Sequence, residues 1–310
     1  MSAPGGGRLA AAIDVGSNSV LLLVIAVDGT GAAHAVDEAV VTTRLGTGLE
    51  PGRPLDRDAA ERTARAVVDL AARARRHGVA EVWAFATGAA RRASDGTAFV
   101  ARLAREAGIA AEVLSGEREA RLAHAAAVHG LGLDDAALLV VDVGGATTEL
   151  TFGRGAAIEA SVSLSVGALT LTETSAGDVT RVRARVDEAL AATDLPSRAR
   201  AGGASLIASG GTATSLAALA RGLARYEPRP VHGAILTAEA VARTRAGGGA
   251  GPIDPGRAAI LPAGACILGG VMDAAGAEHV RVSDHGVRHA YLRERLAARG
   301  VAVTMRALWG

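Results

Sequence analysis

Two short strings in the chain place an aspartate, a glycine and small polar residues in the same order. The first is AAIDVGSNSV, Ala11–Val20, and the second is VVDVGGATTEL, Val140–Leu150. Asp14 corresponds to Asp142 and Gly16 to Gly144. In each, a β-branched apolar run enters a Gly-rich turn, the pattern of a buried strand that stops in a tight loop. Glycine lets peptide N–H groups approach an anion without a Cβ in the way. Ser17, Asn18 and Ser19 add polar side chains beside Gly16, and Thr147 and Thr148 follow Gly144, Gly145 and Ala146. One such turn alone is an ordinary hairpin. Two of them facing each other would grip one polyanion from both sides.

Asp142 and Glu149 flank the second turn, seven residues apart across a hairpin. Two carboxylates beside phosphates are a natural Mg²⁺ site, because this ion keeps several waters and takes few protein ligands. Asp14 would add an oxygen from the facing turn. The plainer alternative is a turn-capping aspartate and a solvated glutamate. Glu117 and Glu119 in SGEREARL sit near a helix start, where acids compensate the helix dipole. Either of them, facing a cleft, would serve as a base.

In TGAARRASDG, Thr87, Arg91 and Arg92 follow directly on a strand. Forked guanidinium donors there reach phosphate oxygens, or form a plain surface pair. His285 and His289 are four apart at an expected helix start, a weak metal-pair spacing with no acidic helper. His232 reads as structural or as a cleft hydrogen bonder.

The elements that must position these groups fit a chain of 310 residues, long enough for two domains with separate cores. Hydrophobic residues make up 49% and charged residues 21%, as in globular proteins. A net charge of +1 gives no global pull toward nucleic acid or membrane, and 2% aromatics argues against base-stacking platforms. All 33 basic residues are Arg, so there is no Gly-Lys phosphate loop, kinase strand lysine or Schiff base. The single Cys266 excludes an intrachain disulfide and reads as a small buried hydrophobe. MSAPGGGRLA reads as a flexible leader without a secretory h-region, and the cytoplasm is the expected compartment.

Along the chain, strands over Leu9–Val27 flank the first turn, and HAVDEAVVTTRLG continues as strand. Asp56 is the expected cap of a helix ending near Gly78. VAEVWAFAT is a strand, TGAARRASDG a loop, Thr97–Ala107 a helix and IAAEVLSG a strand. Ser115 then opens the helix that carries Glu117 and Glu119. The second hairpin spans Leu138–Val143 and Glu149–Phe152. A strand, a loop and a helix follow, then strand, Gly turn and helix in SLIASGGTATSLAALARGLA. RAAILPAGACILGGVMDAAG reads as a helix bent at Pro262. EHVRVSD is a late strand, and residues 286–299 form a closing helix. TRAGGGAGPIDPGR reads as a flexible loop. Strand pairs opening each half, then alternating helices and strands, give a two-domain α/β protein with a duplicated core and a cleft between its halves.

Taken together, these strings resemble the exopolyphosphatase / guanosine pentaphosphate phosphohydrolase (Ppx/GppA) family. AIDVGSNSVLLLV is similar to its first phosphate loop and RLGTGL to its next block. ATGAARRASD matches its Thr-x-Ala-x-Arg block, with Arg91 at the arginine. LSGEREARL matches its Ser-Gly-x-x-Glu-Ala block, which places Glu119, not Glu117, at the catalytic base. VVDVGGATTEL resembles the second phosphate loop, with Asp142 and Glu149 at the metal-binding acids. GTATSLAAL, VHGAILT, LPAGACIL and SDHGVR follow in family order. Ala146 stands where a glycine is usual, Leu169-Thr170 where Val-Arg is common, and His289-Ala290 where Glu-Gly often follows.

The resemblance implies an α/β protein of two ribonuclease H-like (actin-like ATPase) domains with a cleft between them. The expected domains are residues 1–115 and 116–294, with about 295–310 returning to the first. It implies a phosphoanhydride hydrolase acting on inorganic polyphosphate, on guanosine pentaphosphate, or on both. The implied cofactor is Mg²⁺, with Mn²⁺ as the alternative ion, held by Asp142, Glu149 and Asp14. Phosphates would rest on Gly16, Ser17, Asn18, Ser19, Arg91, Gly144, Gly145, Ala146 and Thr147. Partners are the substrate alone, without nucleic acid or membrane, and a homodimer is the base-rate expectation. Two alternatives stay open. One is an ATP-dependent phosphotransferase, for which ASGGTAT, Ala208–Thr214, is the adenosine candidate. The other is a non-catalytic polyphosphate or alarmone sensor.

Overall fold

The computed structural model describes residues 7–245, 253–306 and 308–309. The leader reading lies outside the described residues up to residue 6, and the loop reading of TRAGGGAGPIDPGR does so over 246–252. Contacts divide the chain into two compact units. Unit 1 is Met1–Ser115 with Val287–Gly310, and unit 2 is Gly116–Gly286.

Unit 1 opens with β1 (Arg8–Val15), β2 (Ser19–Val27) and β3 (Ala33–Thr42). Strand begins at Arg8, inside the stretch read as leader. α1 (Arg57–Arg76) follows, its N-cap Asp56 accepting the Ala59 N–H at 2.8 Å. Then come β4 (Val82–Ala86), α2 (Gly88–Arg92), α3 (Gly96–Ala107) and β5 (Ala110–Val113). TGAARRASDG is therefore not all loop: α2 occupies its centre. The sheet order is β3-β2-β1-β4-β5, an antiparallel meander joined to two parallel strands.

β1 is buried on both faces, which explains its near-continuous apolar reading. Ile13 and Val15 meet Val67 and Leu70 of α1 and Leu103 of α3 in one core. Each large aliphatic side chain so buried contributes roughly 1.5–3 kcal/mol.

Unit 2 contains α4 (Gly116–Leu131), β6 (Ala137–Val143), β7 (Thr148–Arg154), β8 (Ala157–Leu164), α5 (Ala168–Ser175), α6 (Val179–Ala191) and α7 (Leu195–Ala201). It continues through β9 (Ser205–Ser209), α8 (Gly210–Ala220), α9 (Pro228–Val231), β10 (Ile235–Thr237), α10 (Ala238–Arg245), α11 (Pro255–Ala258), α12 (Leu261–Ala275) and β11 (His279–Val282). Its sheet runs β10-β11-β9-β6-β7-β8. From β8 to β11 this repeats the path of the first sheet: a three-strand meander, then two strands parallel to its first member. β10 is an added antiparallel edge. α4 covers one face through Ala127 and Val128 against Leu138, Val140 and Ile207. The large core with α8 and α12 covers the other.

Pro262 does not bend a helix. α12 starts at Leu261 with Pro262 in its first turn, where no N–H is needed, and α11 is separate.

The chain then returns as α13 (Val287–Ala297) in unit 1. This return starts earlier than the expected position near 295, because Tyr291 is fully buried with its ring 4.6 Å from Phe85 of β4. Its hydroxyl donates to Glu112 Oε1 at 2.9 Å. Among the described residues no helix is long and apolar enough to cross a membrane.

Candidate active site

The two Gly turns close with the same hydrogen bond. Gly16 N–H donates to Ser19 O at 3.0 Å, and Gly144 N–H donates to Thr147 O at 3.0 Å. A Cβ on Gly16 would stand 3.0 Å from Ser19 O, and on Gly144 2.9 Å from Thr147 O, so both turns require the glycine. The carbonyls of each turn are held from behind. Asn18 O accepts from Thr43 and Arg44 N–H, and Ser17 O accepts from Gly46 N–H at 2.8 Å. In the second turn the first N–H groups of α5 do this work: Ala168 bonds Gly144 O, and Leu169 and Thr170 bond Gly145 O. In a trans peptide the N–H points opposite to the C=O. Pinning these carbonyls therefore turns the Asn18 N–H in unit 1, and the Gly145 and Ala146 N–H groups in unit 2, the other way. That is the construction of an anion nest.

Side chains complete each turn. Ser17, Asn18 and Ser19 are buried, and Asn18 Nδ2 donates to Ser19 Oγ at 3.1 Å. Accepting there leaves the Ser19 proton to be donated elsewhere. Thr147 is buried beside the second turn, and Thr148 is fixed by its 2.7 Å bond to Val166 O. Ala146 is buried, and its φ lies outside the left-handed region, so its Cβ carries no backbone strain. Gly167 makes room behind it, since a Cβ there would come within 2.4 Å of the Ala146 carbonyl carbon.

Unit 2 gathers three acids. Glu119 on α4 is 8% exposed, whereas Glu117 on the same turn is exposed. Asp142 ends β6 in register with Glu149 on β7 and with Ser209 on β9. Glu149 is 2% exposed and accepts from Ser163 Oγ at 2.9 Å. Asp142 keeps some residue exposure, but burial of its carboxyl, then the Glu119 charge, push it up to about 7. Burial, then Glu119, then Asp142 hold the Glu149 carboxyl well above the usual range, against the hydrogen bonds of Ser163 and Thr147. No basic side chain is among the charges that set either acid.

Mutually repelling, desolvated carboxylates fit a divalent metal. Among the described residues no three His, Cys, Asp or Glu side chains form a ready-made cage. A two-carboxylate donor set suits Mg²⁺, which fills its remaining positions with water and phosphate oxygen. Asp14, the third expected ligand, lies in unit 1 at the end of β1.

Arg91, also in unit 1, lies on α2 and its Nη1 donates to Leu114 O at 3.1 Å. The histidine pair does not form. His285 precedes α13 in unit 2, its ring 4.5 Å from that of His232, while His289 is on α13 in unit 1, edge-on to Trp309. His232 is structural: its Nδ1 accepts the Asp284 N–H and its Nε2 meets Gly130 O. Burial raises the Cys266 thiol, which makes it inert.

Sequence reasoning missed Ser163, Ser209 and Gly210 around the acids. Gly210 has φ +83, and a Cβ there would sit 2.3 Å from Asp142 Oδ1. The ASGG string, read as an adenosine candidate, thus serves the acid site. Its next glycine lies under Arg257, whose Nη1 would be 2.9 Å from a Cβ on Gly211.

A model of the Ppx/GppA phosphatase family matches residues 24–298. Exopolyphosphatase 2 of Mycobacterium tuberculosis is 32% identical, the match covering 89% of this chain and 95% of that protein. The structure of the Aquifex aeolicus PPX-GPPA enzyme superposes with a TM-score of 0.72 at 29% identity, over 92% of this chain and 98% of that one. An exopolyphosphatase structure from Cytophaga hutchinsonii superposes at 0.82 over 95% of this chain and 99% of that one; at 21% identity it speaks to the fold alone.

Proposed function

The chain belongs to the Ppx/GppA phosphatase family, and on that premise we propose that it releases orthophosphate from the end of inorganic polyphosphate, of guanosine pentaphosphate, or of both. The observation that carries this reading is the acid cluster of unit 2. Burial and mutual repulsion among Glu119, Asp142 and Glu149 raise the Asp142 and Glu149 carboxyls, beside a turn whose peptide carbonyls are pinned from behind.

Each residue then has a role. The Gly145 and Ala146 N–H groups and the Thr147 hydroxyl bind phosphate oxygens in unit 2. The Asn18 N–H and the Ser17 and Ser19 hydroxyls do so in unit 1. Asp142 and Glu149 would hold Mg²⁺; when bound, that ion would offset charge on the phosphoryl oxygens. Arg91 would donate its forked N–H groups to a phosphate held in unit 1. Glu119 orients a water and takes its proton for in-line attack, typically worth ~10²–10⁴.

The phosphotransferase alternative is less favoured, because the family model is of phosphatases and Gly210 of its adenosine candidate packs against Asp142 of the acid cluster. The deciding experiment is phosphate release with Mg²⁺ across a chain-length series of polyphosphate and with guanosine pentaphosphate. Phosphate release that depends on Mg²⁺ is expected. Tight binding with no release from any of them would overturn the hydrolase reading.

A further inference from the structure

Arg92 is a charged group that the reaction just described leaves unused. It ends α2 directly after Arg91, and it is half-buried. Its Nη2 donates to Leu49 O at 3.3 Å, and its own carbonyl accepts the Gly52 N–H at 2.9 Å. Among the described residues no carboxylate pairs with it. Burial and the Arg91 charge both disfavour its protonated form. A desolvated cation is normally met by a carboxylate, because lost hydration is otherwise unreplaced. Here the nearest charge along the helix is a second cation, and one long carbonyl contact engages one of five guanidinium donors.

The loop that receives Arg92 also reaches the first Gly turn. Gly46 N–H holds Ser17 O at 2.8 Å, and six residues later Gly52 bonds Arg92. Gly48 and Gly52 have φ +62 and +78, and a Cβ on either would meet nothing within 4 Å. The surface of the loop at both positions is therefore open. A second anion, bound there, would relieve the Arg91–Arg92 repulsion and supply acceptors to the idle donors.

We propose that Arg92 and the Gly46–Gly52 loop form a second anion subsite in unit 1, which binds a further phosphate of the phosphoanhydride chain that the first Gly turn holds. This rests on the proposed hydrolase reading for its ligand class. Inorganic polyphosphate and the phosphate arm of a nucleotide share the required chemistry.

The test is calorimetric titration of the full chain, carrying Glu119→Gln so that bound chains are not turned over, in Mg²⁺, with orthophosphate, inorganic tripolyphosphate and guanosine pentaphosphate. Arg92→Gln keeps an N–H donor for Leu49 O while removing the charge, and Arg92→Lys restores a charge without the fork. Arg92→Gln is expected to weaken tripolyphosphate about tenfold, the worth of one charge-assisted contact, with orthophosphate affinity and Tm unchanged. Arg92→Lys recovers part of the loss. A loss confined to guanosine pentaphosphate supports the subsite and assigns it to the nucleotide. Unchanged affinity for both chain ligands overturns it, whether or not Tm falls; with a fall in Tm, Arg92 is only a loop staple. Equal losses for orthophosphate and tripolyphosphate overturn it too. Should the wild type bind chains through Arg92 but release no phosphate, the hydrolase reading fails and the subsite stands.

Discussion

Asp142 and Glu149 stand directly opposite each other across β6 and β7, and the same position of the first hairpin pairs Asp14 with Leu21. Two turns closed by the same hydrogen bond thus carry different chemistry. The first is furnished with three polar side chains, the second with two desolvated acids. The difference is not a matter of folding; it lies in the side chain that each register position received.

The acid pair should make stability depend on pH and metal in opposite senses. Asp142 is raised from 3.8 to about 7 in the folded state. Unfolded, it ionises near its ordinary value, so between these limits the unfolded chain has lost a proton that the folded chain retains. This site's contribution to stability therefore falls as pH rises from about 4 through about 7. Asp142→Asn should raise Tm at pH 8 in the absence of divalent cation and remove the stabilisation by added Mg²⁺. Thermal melts at several pH values, with and without Mg²⁺, check both.

Glu119→Gln should retain polyphosphate binding while hydrolysis falls by ~10² or more. Glu117→Gln, at an exposed position of the same helix turn, should leave turnover near wild type. Steady-state kinetics on the two variants side by side separate a base from a dipole-compensating acid. Normal turnover in Glu119→Gln would sink the assignment.

Gly210→Ala adds a Cβ where φ is +83 and where Asp142 Oδ1 would be 2.3 Å away. The backbone term alone costs about 1–2 kcal/mol. Displacement of the carboxylate should weaken Mg²⁺ dependence beyond what the loss in Tm explains. A magnesium titration of activity in a variant that still melts cooperatively is the measurement.

His124 should govern an acid limb of stability. It is buried on α4, with Nε2 2.7 Å from Gly155 O and Nδ1 2.9 Å from Thr151 Oγ1. Burial lowers its pKa and so favours the neutral ring, and the Gly155 carbonyl selects the tautomer with the proton on Nε2. A lowered histidine favours folding while neutral; the unfolded chain gains a proton as pH drops below about 6.5, and stability is lost from there downward. His124→Gln, which can keep a donor for Gly155 O, should flatten the decline in Tm between pH 6.5 and 5.

What the sequence made legible was local. The strand-turn-strand repeats, the Asp56 cap and the stop at Gly108 follow from residue type and spacing within a few positions. Glu119 emerged over Glu117 by family likeness, and burial now separates them. Ser163 and Ser209 escaped because they reach the acids through strand pairings to β7 and β6, and Gly210, in a string read for adenosine, reaches Asp142 from the start of α8. Arg257 escaped for the same reason: it reaches Gly211 from a distant helix. The weak His285–His289 spacing does not mark one helix face, because α13 starts at Val287 and only His289 lies in it.

The burial of Tyr291 on Phe85 carries a consequence for synthesis. Unit 2 is one continuous stretch and can close as soon as residue 286 has left the ribosome. Unit 1 begins first yet is completed last, because one side of its sheet is covered by a helix that starts at Val287. During translation Phe85 and Trp83 therefore wait uncovered through some two hundred codons. A ribosome that stalled within unit 2 would leave a nascent chain with that apolar side bare, a natural client for a chaperone.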